Sequence, residues 1–554
     1  MSSQVEQLEA AVKAAISRAI STGELSGATP DTITLERPKN REHGDFATSV
    51  ALQLAKAAGK NPREIAQIII TYLTGEVGIS QLDIAGPGFI NITLNRASQA
   101  ELVSTIINAG KDFGQGNALK GVRINLEFIS ANPTGPLHLG HTRWAAVGDA
   151  LGRVLSAAGA DVSREFYIND RGNQMDLFGA SVEAAALGNP IPEDGYKGEY
   201  ILDLAKVVVT DNPAMTSLPE SERHRAFREA AYAVQLKDQQ RVLDSFGTHF
   251  DTWFSERSLH ELGAVEHGLE KLRGQGHVFE EDGAIWLRTS DFGDDKDRVL
   301  TKSDGSLTYF SSDTAYYINK RERGFDICIY MLGADHHGYV GRLKAIAACA
   351  GDDPEYNIDV LIGQLVKIME GGQEVKLSKR AGTIITLEEL VEKVGVDAAR
   401  YTLIRYPVDT PMVMDIDVLK RNTNENPVYY VQYAHARIAA VLRNANELAI
   451  SVDLADFDSS QLTHDRENEL LGALAEFPRV VAGAAELRQP HRIARYLEDL
   501  AGTYHGFYAD CRVLPMGEEN PTPLHTARLL LCSSTKIVIA NGLALLGVSA
   551  PERM

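Results

Sequence analysis

The sequence predicts an α/β protein in three parts. A strand, a loop rich in proline and glycine, and a helix follow one another over residues 122–158, which is the beginning of a Rossmann-type fold. Before them, two strands flank Gly86-Pro87-Gly88 among helices, which predicts an N-terminal α+β domain. After about residue 421 strand signals become scarce, which predicts an all-α helical bundle. We expect domains at 1–118, 119–420 and 421–554.

Composition restricts the class of protein. The chain has 554 residues, of which 44% are hydrophobic and 23% charged, and no run approaches the ~20 apolar residues of a membrane helix. No basic segment followed by an apolar core begins the chain, so we expect no signal peptide. Its four cysteines have no CxxC spacing, which favours reduced thiols. We expect a cytoplasmic protein that does not associate with membranes; its net charge of −20 does not decide whether it binds nucleic acid.

The N-terminal part contains helices at 4–21, 46–58 and 62–73 by the spacing of apolar residues. Strands surround the Gly-Pro-Gly turn over residues 82–94. In the central part, further strands are expected at 163–168, 326–332 and 359–365, with a mostly helical insertion at about 183–290. The C-terminal helices are expected at 429–444, 467–486, 491–508 and 523–546.

The first motif with chemical content is His138-Leu139-Gly140-His141, at the predicted start of a helix. A helix N-terminus offers unpaired N–H groups and partial positive charge to an anion. Two imidazoles one turn apart can donate to phosphates, and Gly140 lets a flat ring approach the backbone. The alternative is a pair of histidines that cap or pack at a helix start.

The second motif is Lys376-Leu377-Ser378-Lys379-Arg380, which follows Gly371-Gly372. Three cations within five residues can close over a triphosphate, and Lys379 is the candidate for the β- and γ-phosphates. The alternative is a solvated charged loop.

Together the two motifs resemble the ATP-handling HIGH and KMSKS signatures of class I aminoacyl-tRNA synthetases. The flanking sequence is similar to the arginyl-tRNA synthetases over nearly the whole chain, including Glu127 to Thr142, Phe166 to Gln174, Tyr309 to Asp313, Gly333 to Gly338 and Ala550 to Met554. The resemblance implies a class I catalytic domain and an arginine–tRNA ligase that uses ATP and L-arginine to charge tRNA(Arg). It also implies that activation of arginine requires bound tRNA.

The resemblance implies site residues as well. The catalytic set is His138, His141, Lys376 and Lys379. The ATP site adds Pro133, Thr134, Gly135, Gly140 and Ser378. The arginine site comprises Glu127, Ser130, Asn132, His141, Tyr309, Asp313 and Asp335. Carboxylates suit a guanidinium because its planar fork of donors pairs with them directionally.

For tRNA, the candidates are Tyr429, Tyr433 and Arg437 in the C-terminal bundle, Phe89 and Asn91 in the N-terminal domain, and the terminal Met554. Unstacked bases can lie on tyrosine rings, although aromatic residues at helical spacing are often core. The adjacent His336 and His337 have no third ligand at a suitable spacing, so we expect no protein-bound metal, and Mg²⁺ carried by ATP. We expect a monomer.

Three other functions remain open on the residues alone. Another class I synthetase or a tRNA-independent amino-acid ligase could share both signatures. A small HxGH nucleotidyltransferase would leave the lysine segment and the helical bundle without a role. A catalytically silent RNA-binding paralogue would have no need for His138, His141 and Lys379.

Overall fold

The fold is known from a computed structural model, which describes residues 4–36, 38, 43–76, 78–94, 96–375 and 385–554, those at 4–6 and 96–100 by their backbone alone. The helices are α1 Gln4–Ser21, α2 Val50–Ala58, α3 Pro62–Leu73, α4 Arg96–Ala109, α5 Leu139–Ala157, α6 Asn173–Leu187, α7 Glu199–Asp211, α8 Glu220–Ser245, α9 Glu256–Glu261, α10 Ala264–Gly274, α11 Tyr309–Glu322, α12 Val340–Cys349, α13 Leu387–Val394, α14 Val396–Ile404, α15 Ile416–Leu419, α16 Pro427–Glu447, α17 Asp465–Ala475, α18 Phe477–Glu486, α19 His491–Asp510 and α20 Pro523–Leu545. The strands are β1 Leu35–Glu36, β2 Phe46–Thr48, β3 Ile79–Ala85, β4 Phe89–Leu94, β5 Arg123–Glu127, β6 Asp161–Ile168, β7 Thr252–Ser255, β8 Val278–Glu281, β9 Ala284–Leu287, β10 Arg298–Thr301, β11 Ile327–Gly333, β12 Ile358–Gly363, β13 Val366–Glu370, β14 Gln373–Glu374 and β15 Met412–Asp415.

The N-terminal unit is an antiparallel sheet in the order β1-β2-β4-β3 packed against α1, α2 and α3. Asn61 caps α3 and Pro62 occupies its first turn, so the helix begins at the residue that the sequence predicts. The helix predicted at 46–58 is wrong in its first part. Phe46–Thr48 is a strand, because these residues pair with Ile90–Ile92 of β4, and the helix begins only at Val50.

Among the residues whose side chains are described, the apolar core of this unit extends from Leu8 to Leu94. Helix α4 packs against α20, and its Leu102, Val103 and Ile106 belong to the main core. The domain edge at residue 118 stays a prediction.

The central domain is built on a five-stranded parallel sheet in the order β12-β11-β5-β6-β7. Helix α5 covers one face of this sheet and α11 the other. The predicted insertion at 183–290 is mostly helical, but β7 lies inside it and pairs with β6 in the central sheet. Insertion and sheet are therefore interleaved in the chain.

The C-terminal part is an all-α bundle whose core is continuous with that of the central domain. The helix predicted at 467–486 is two helices, α17 and α18. Pro478 in the first turn of α18 cannot donate a backbone hydrogen bond, so the chain turns there.

Among the described helices, α20 is long and apolar enough to cross a membrane by length and composition alone. It is a core helix here, since 56% of its most apolar stretch is buried inside the protein.

Candidate active site

The carboxyl ends of β5 and β11 form a crevice at the point where the strand order reverses. From β5 the chain adds β6 and β7 on one side, and it then returns to add β11 and β12 on the other. Ligands of open α/β sheets bind at such a switch point. Glu127 is the last residue of β5, and Asp335 follows the end of β11 by two residues.

The backbone after β5 turns through two consecutive left-handed residues. Ile129 has φ 69° and Ser130 has φ 46°, a region that a β-branched residue rarely adopts. The Ser130 hydroxyl donates to Glu127 Oε1 at 2.9 Å and accepts from the Tyr167 N–H at 3.3 Å. Backbone strain of about 1–3 kcal/mol per residue persists only where the surroundings impose it, and it concentrates at functional sites.

His138 and His141 form a capping box at the start of α5. Nδ1 of His138 accepts from the Gly140 N–H at 3.1 Å, and Nδ1 of His141 accepts from the His138 N–H at 3.3 Å. The two rings are stacked, with centroids 4.0 Å apart. Because Nδ1 accepts in both, the proton of each neutral ring lies on Nε2. The capping role and the phosphate-donor role are therefore compatible: the cap fixes Nε2–H as the donor.

Gly140 has a second reason to be glycine. A Cβ atom there would lie 3.0 Å from Cε1 and 3.1 Å from Nδ1 of His138, closer than nearly all real Cβ contacts. A side chain at this position would push the capping ring aside.

Residues that follow the lysine segment in the chain are bonded to the start of α5. The residues 376–384, which include Lys376, Ser378 and Lys379, lie outside the described part of the chain. Immediately after them, Ile385 O accepts from the Leu139 N–H at 3.2 Å, and the Leu387 N–H donates to Leu137 O at 2.9 Å. Leu137, just before the first signature, and Leu139, within it, are thus hydrogen-bonded to residues that follow the second.

Arg143 fastens α5 to the loops around β13 and β15. Its Nη1 donates to the carbonyls of Gln364 at 2.9 Å and Thr410 at 3.0 Å, and its Nη2 donates to that of Pro407 at 2.8 Å. Burial lowers the pKa of Arg143 to about 10, which Asp409 partly offsets, so the guanidinium stays charged at neutral pH. One guanidinium thus joins α5 to three backbone carbonyls in two loops.

The loop Pro133-Thr134-Gly135 is held from the helical insertion. The Tyr200 hydroxyl donates to Thr134 O at 3.1 Å, and the Gln239 amide donates to Gly135 O at 2.9 Å and to Asn132 O at 3.2 Å. The Asn132 side chain itself donates to Gln174 Oε1 at 2.5 Å. Asn132 thus sits beside the segment Phe166 to Gln174 that the sequence singled out.

Helix α11 presents one stripe of polar and aromatic side chains at spacings of four, three and four residues. Tyr309 in the first turn is 76% exposed, Asp313 is half-buried, and Tyr316 and Lys320 are buried. The i, i+4 spacing of Tyr309 and Asp313 puts both side chains on the same face of α11. This is the arrangement that a shared arginine pocket needs. Along α11 the stripe therefore runs from the exposed Tyr309 at the mouth of the crevice to the buried Lys320 against the sheet.

Asp313 is the carboxylate of this stripe, and its pKa is shifted by its surroundings. Burial raises the pKa of Asp313 to about 6; the Tyr339 hydroxyl, which donates to it, lowers that pKa, and the charge of Glu127 raises it. Glu256, at the start of α9, is also buried, and its pKa is raised by burial and by Asp170 and Asp313. A cluster of buried carboxylates with one exposed tyrosine at its mouth suits a cationic ligand.

Glu127 is already paired within the protein. The ammonium of Lys320 donates to its Oε2 at 2.5 Å, and Ser130 occupies Oε1. This ion pair is buried on both sides, with Lys320 0% exposed.

Asp335 lies at the rim, with its side chain 83% exposed and 3.6 Å from Nε2 of His336. Its contact with a substrate stays a prediction. Within residues 4–375 and 385–554, apart from the few undescribed positions, no group of three His, Cys, Asp or Glu side chains is arranged to hold a metal ion.

The aromatic stripe predicted in the C-terminal bundle is assembled on the surface of α16. The rings of Tyr429 and Tyr433 are parallel within 8° at 5.9 Å, and the Arg437 guanidinium lies 4.6 Å from the ring centre of Tyr433. Tyr508 and His505 of α19 border the same cluster. Burial, and then the charge of Arg437, lower the pKa of His505 to about 4, so this ring is neutral at physiological pH.

The other tRNA candidates differ in accessibility. Phe89, at the start of β4, is 37% exposed, whereas Asn91 in the middle of that strand is 6% exposed. Met554 is exposed at the end of the chain, where the preceding residues are held by hydrogen bonds from Gln432 and His435. All three contacts stay predictions, and exposure favours Phe89 and Met554.

Sequence reasoning missed Lys320, Arg143 and Glu256. Lys320 and Tyr316 continue the stripe of Tyr309 and Asp313, so helical spacing could have found them. The three carbonyls bonded by Arg143 and the buried setting of Glu256 depend on segments distant in the chain, and no local pattern signals them.

Comparison with known families covers nearly the whole chain. Residues 6–94 match the arginyl tRNA synthetase N terminal domain, and residues 102–206 and 220–437 match the catalytic domain of the tRNA synthetases class I (R). Residues 431–554 match the DALR anticodon binding domain.

Full-length relatives agree. The chain is 56% identical to an arginine–tRNA ligase of Frankia alni over 98% of this chain and 99% of that protein. It is 54% identical to an arginine–tRNA ligase of Paenarthrobacter aurescens over 99% and 100%. The arginyl-tRNA synthetase structure of Thermus thermophilus, 22% identical, has the same fold, with a TM-score of 0.77 over 99% of this chain and 100% of that one.

Proposed function

The chain belongs to the arginyl-tRNA synthetase family, and from that premise we propose how its own residues carry out the reaction. The protein is an ATP-dependent aminoacyl-tRNA ligase specific for arginine, which forms AMP and pyrophosphate. Arginine reacts first with ATP to give arginyl-adenylate, and the 3′ end of tRNA(Arg) then takes the arginyl group.

ATP enters as its Mg²⁺ complex, with the ion carried by the phosphates. The phosphates meet the Nε2–H groups of His138 and His141, whose orientation is fixed by the capping box. Gly140 and the loop Pro133-Thr134-Gly135 accommodate the nucleoside. Lys376, Ser378 and Lys379 close on the phosphates from the segment that begins beside β14 and ends at Ile385, and they stabilise the charge of the leaving pyrophosphate.

Arginine lies with its guanidinium toward Asp313 and Glu127 and with Tyr309 at the mouth of the pocket. Asp313 is the main counter-ion because Glu127 already has Lys320 as a partner. Ser130 and Asn132 face the α-amino and carboxylate end together with His141, and Asp335 borders the entrance. No covalent enzyme intermediate is required, since catalysis consists of positioning and charge stabilisation.

The tRNA lies along the chain from the N-terminal unit to the C-terminal bundle. Tyr429, Tyr433 and Arg437 stack on anticodon bases, Met554 lies near them, and Phe89 with Asn91 contacts the body of the tRNA. The enzyme works in the cytoplasm as a monomer. Activation of arginine requires bound tRNA, so pyrophosphate exchange at full rate without tRNA would contradict this part of the proposal.

The observation that carries the proposal is the pair of oriented imidazoles at the switch point, beside the end of the lysine segment. It is tested with His138→Ala and His141→Ala in arginine-dependent ATP–pyrophosphate exchange with tRNA present. We expect kcat to fall on the order of 100-fold or more, as when a transition-state donor is removed.

The chain supplies matched controls. His464 caps α17 through Nδ1 at 3.1 Å from the Arg466 N–H, as His138 caps α5, and His525 accepts from the Thr522 N–H at 3.1 Å, as His141 does from His138. His464→Ala and His525→Ala remove a cap of about 1 kcal/mol without a catalytic histidine. Equal losses of kcat in all four variants would mean that the histidines act only as caps. Charging assays with each of the twenty amino acids complete the test; efficient charging with any other would refute the arginine pocket.

A further inference from the structure

Two buried glutamates lie side by side beneath the proposed arginine pocket. Glu127 of β5 and Glu165 of β6 are partners in the parallel register, and Tyr330 of β11 is the partner of Glu127 on its other side. Side chains in register on adjacent strands point to the same face at a spacing of about 5 Å. Two carboxylates this close in a buried setting each need a cation.

Helix α11 supplies one cation, Lys320, and the residue that ends it supplies the other, Arg323. Arg323 makes a bidentate contact with Glu165 at 2.5 and 2.9 Å, and the Tyr316 hydroxyl donates to the same carboxylate at 2.5 Å. Lys320 donates to Glu127 at 2.5 Å. Burial acts to raise the pKa of Glu165, but Arg323 and Lys320 outweigh it, so the pKa lies below its usual range and Glu165 stays ionised.

Lys320 is enclosed on every side that the structure describes. Its ammonium lies 4.3 Å from the ring centre of Tyr316 and 3.9 Å from that of Tyr330, and its side chain is 0% exposed. Stacking on two ring faces leaves the ammonium one direction for its ionic bond, toward Oε2 of Glu127. A long, flexible side chain is thereby held in one position.

We propose that Lys320 is a positioning residue for arginine recognition, which holds the Glu127 carboxylate fixed beneath the substrate's guanidinium. The inference rests on the proposed role of Glu127 in the arginine pocket. Glu127 and Lys320 cancel one another in charge, so the negative charge opposite the guanidinium comes mainly from Asp313. Lys320 acts through Glu127 and does not itself touch arginine.

This arrangement predicts that substitutions of Glu127 and Lys320 compensate for one another. Glu127→Gln leaves a buried, unpaired ammonium that repels the guanidinium, and Lys320→Met leaves an unpaired carboxylate that neutralises or moves. Each single variant should lower kcat/KM for arginine by about 30-fold or more, as for truncation of one partner in a buried charge pair. Glu127→Gln with Lys320→Met restores the charge balance, so the combined loss should be at least about tenfold smaller than the product of the single losses.

The experiment measures kcat/KM for arginine and for ATP in tRNA charging by the full-length variants. We expect the losses to fall on the arginine parameter through KM, with KM for ATP within about threefold of the parent value. Lys320→Arg keeps the cation and should retain activity within about fivefold of the parent. Arg323→Met is the matched control, because it removes the neighbouring cation, at the end of the same helix, from Glu165, and it should be additive with Glu127→Gln.

Folding does not limit the test. If Lys320→Met alone fails to fold, Glu127→Gln is compared with the double variant, which leaves no unpaired buried charge. The double variant should be at least as active toward arginine as Glu127→Gln. A further fivefold loss in the double variant, or additive losses throughout, would overturn the role of Lys320. Unchanged arginine kinetics in Glu127→Gln would instead overturn the proposed role of Glu127 itself, and that of Lys320 with it.

Discussion

Protonation of Asp313 should control the affinity for arginine in mildly acidic solution. Burial and the charge of Glu127 raise its pKa, the Tyr339 hydroxyl, Arg342 and His336 lower it, and the net result is a pKa of about 6. The guanidinium of arginine stays charged throughout, because its pKa lies above about 12. As pH falls through about 6, the carboxylate gains a proton and the pocket loses the main negative charge opposite the guanidinium. Affinity is therefore retained above this pH and lost below it.

The magnitude follows from the titration curve. With a pKa of about 6, roughly nine-tenths of Asp313 is ionised at pH 7 and one-tenth at pH 5, so kcat/KM for arginine should fall about tenfold between them. The assay is tRNA charging from pH 5 to pH 8 at saturating ATP. Because kcat/KM for ATP at saturating arginine does not report on the free arginine pocket, it is measured as well, and the ratio of the two parameters isolates Asp313.

A ratio that stays flat from pH 5 to pH 8 would refute this reasoning. Asp313→Asn should lower kcat/KM for arginine at pH 7.5 and abolish the pH dependence of the ratio. Tyr339→Phe removes the hydroxyl that lowers the pKa of Asp313, so the midpoint should move to higher pH. A midpoint that moves to lower pH would mean that Tyr339 does not stabilise the carboxylate.

Three further predictions concern packing and tRNA binding. Arg143→Lys loses the planar guanidinium fork that reaches three carbonyls in two loops, and we expect about 1–3 kcal/mol lower stability in thermal unfolding together with a reduced kcat. Gly547→Ala places a Cβ 2.2 Å from Nη2 of the buried Arg400 and should unfold at clearly lower temperature than the control Gly517→Ala, which has a similar positive φ but no atom within 4 Å. Tyr433→Ala should weaken tRNA binding by about 1–3 kcal/mol in filter-binding titrations, whereas Tyr433→Phe, which keeps the ring, should not.

Local sequence carries a large part of the site. The capping of α5 by His138 and His141 involves residues at most three apart, so the motif specifies its own geometry. The alignment of Tyr309 and Asp313 depends only on the 3.6-residue period of a helix. The central strands and the long C-terminal helices follow from hydrophobic periodicity for the same reason.

Errors arose where partners come from elsewhere in the chain. Phe46–Thr48 has helical spacing with the residues after it, but backbone pairing with β4, more than forty residues away, outweighs that preference. The strand β7 is only four residues long, too short for its periodicity to stand out within a helical insertion.

The sequence by itself determined the class of fold, the two ATP signatures and the polar stripe of α11, since each depends on neighbours within a few residues. Only the tertiary structure decided how charge is distributed in the pocket. Glu127 and Lys320 are 193 residues apart in the chain. They meet because α11 packs on the face of the sheet to which the Glu127 side chain of β5 points. Burial strengthens the pairing of these two charges and raises the pKa of Asp313. Neither effect can be read from the identity of the side chains alone.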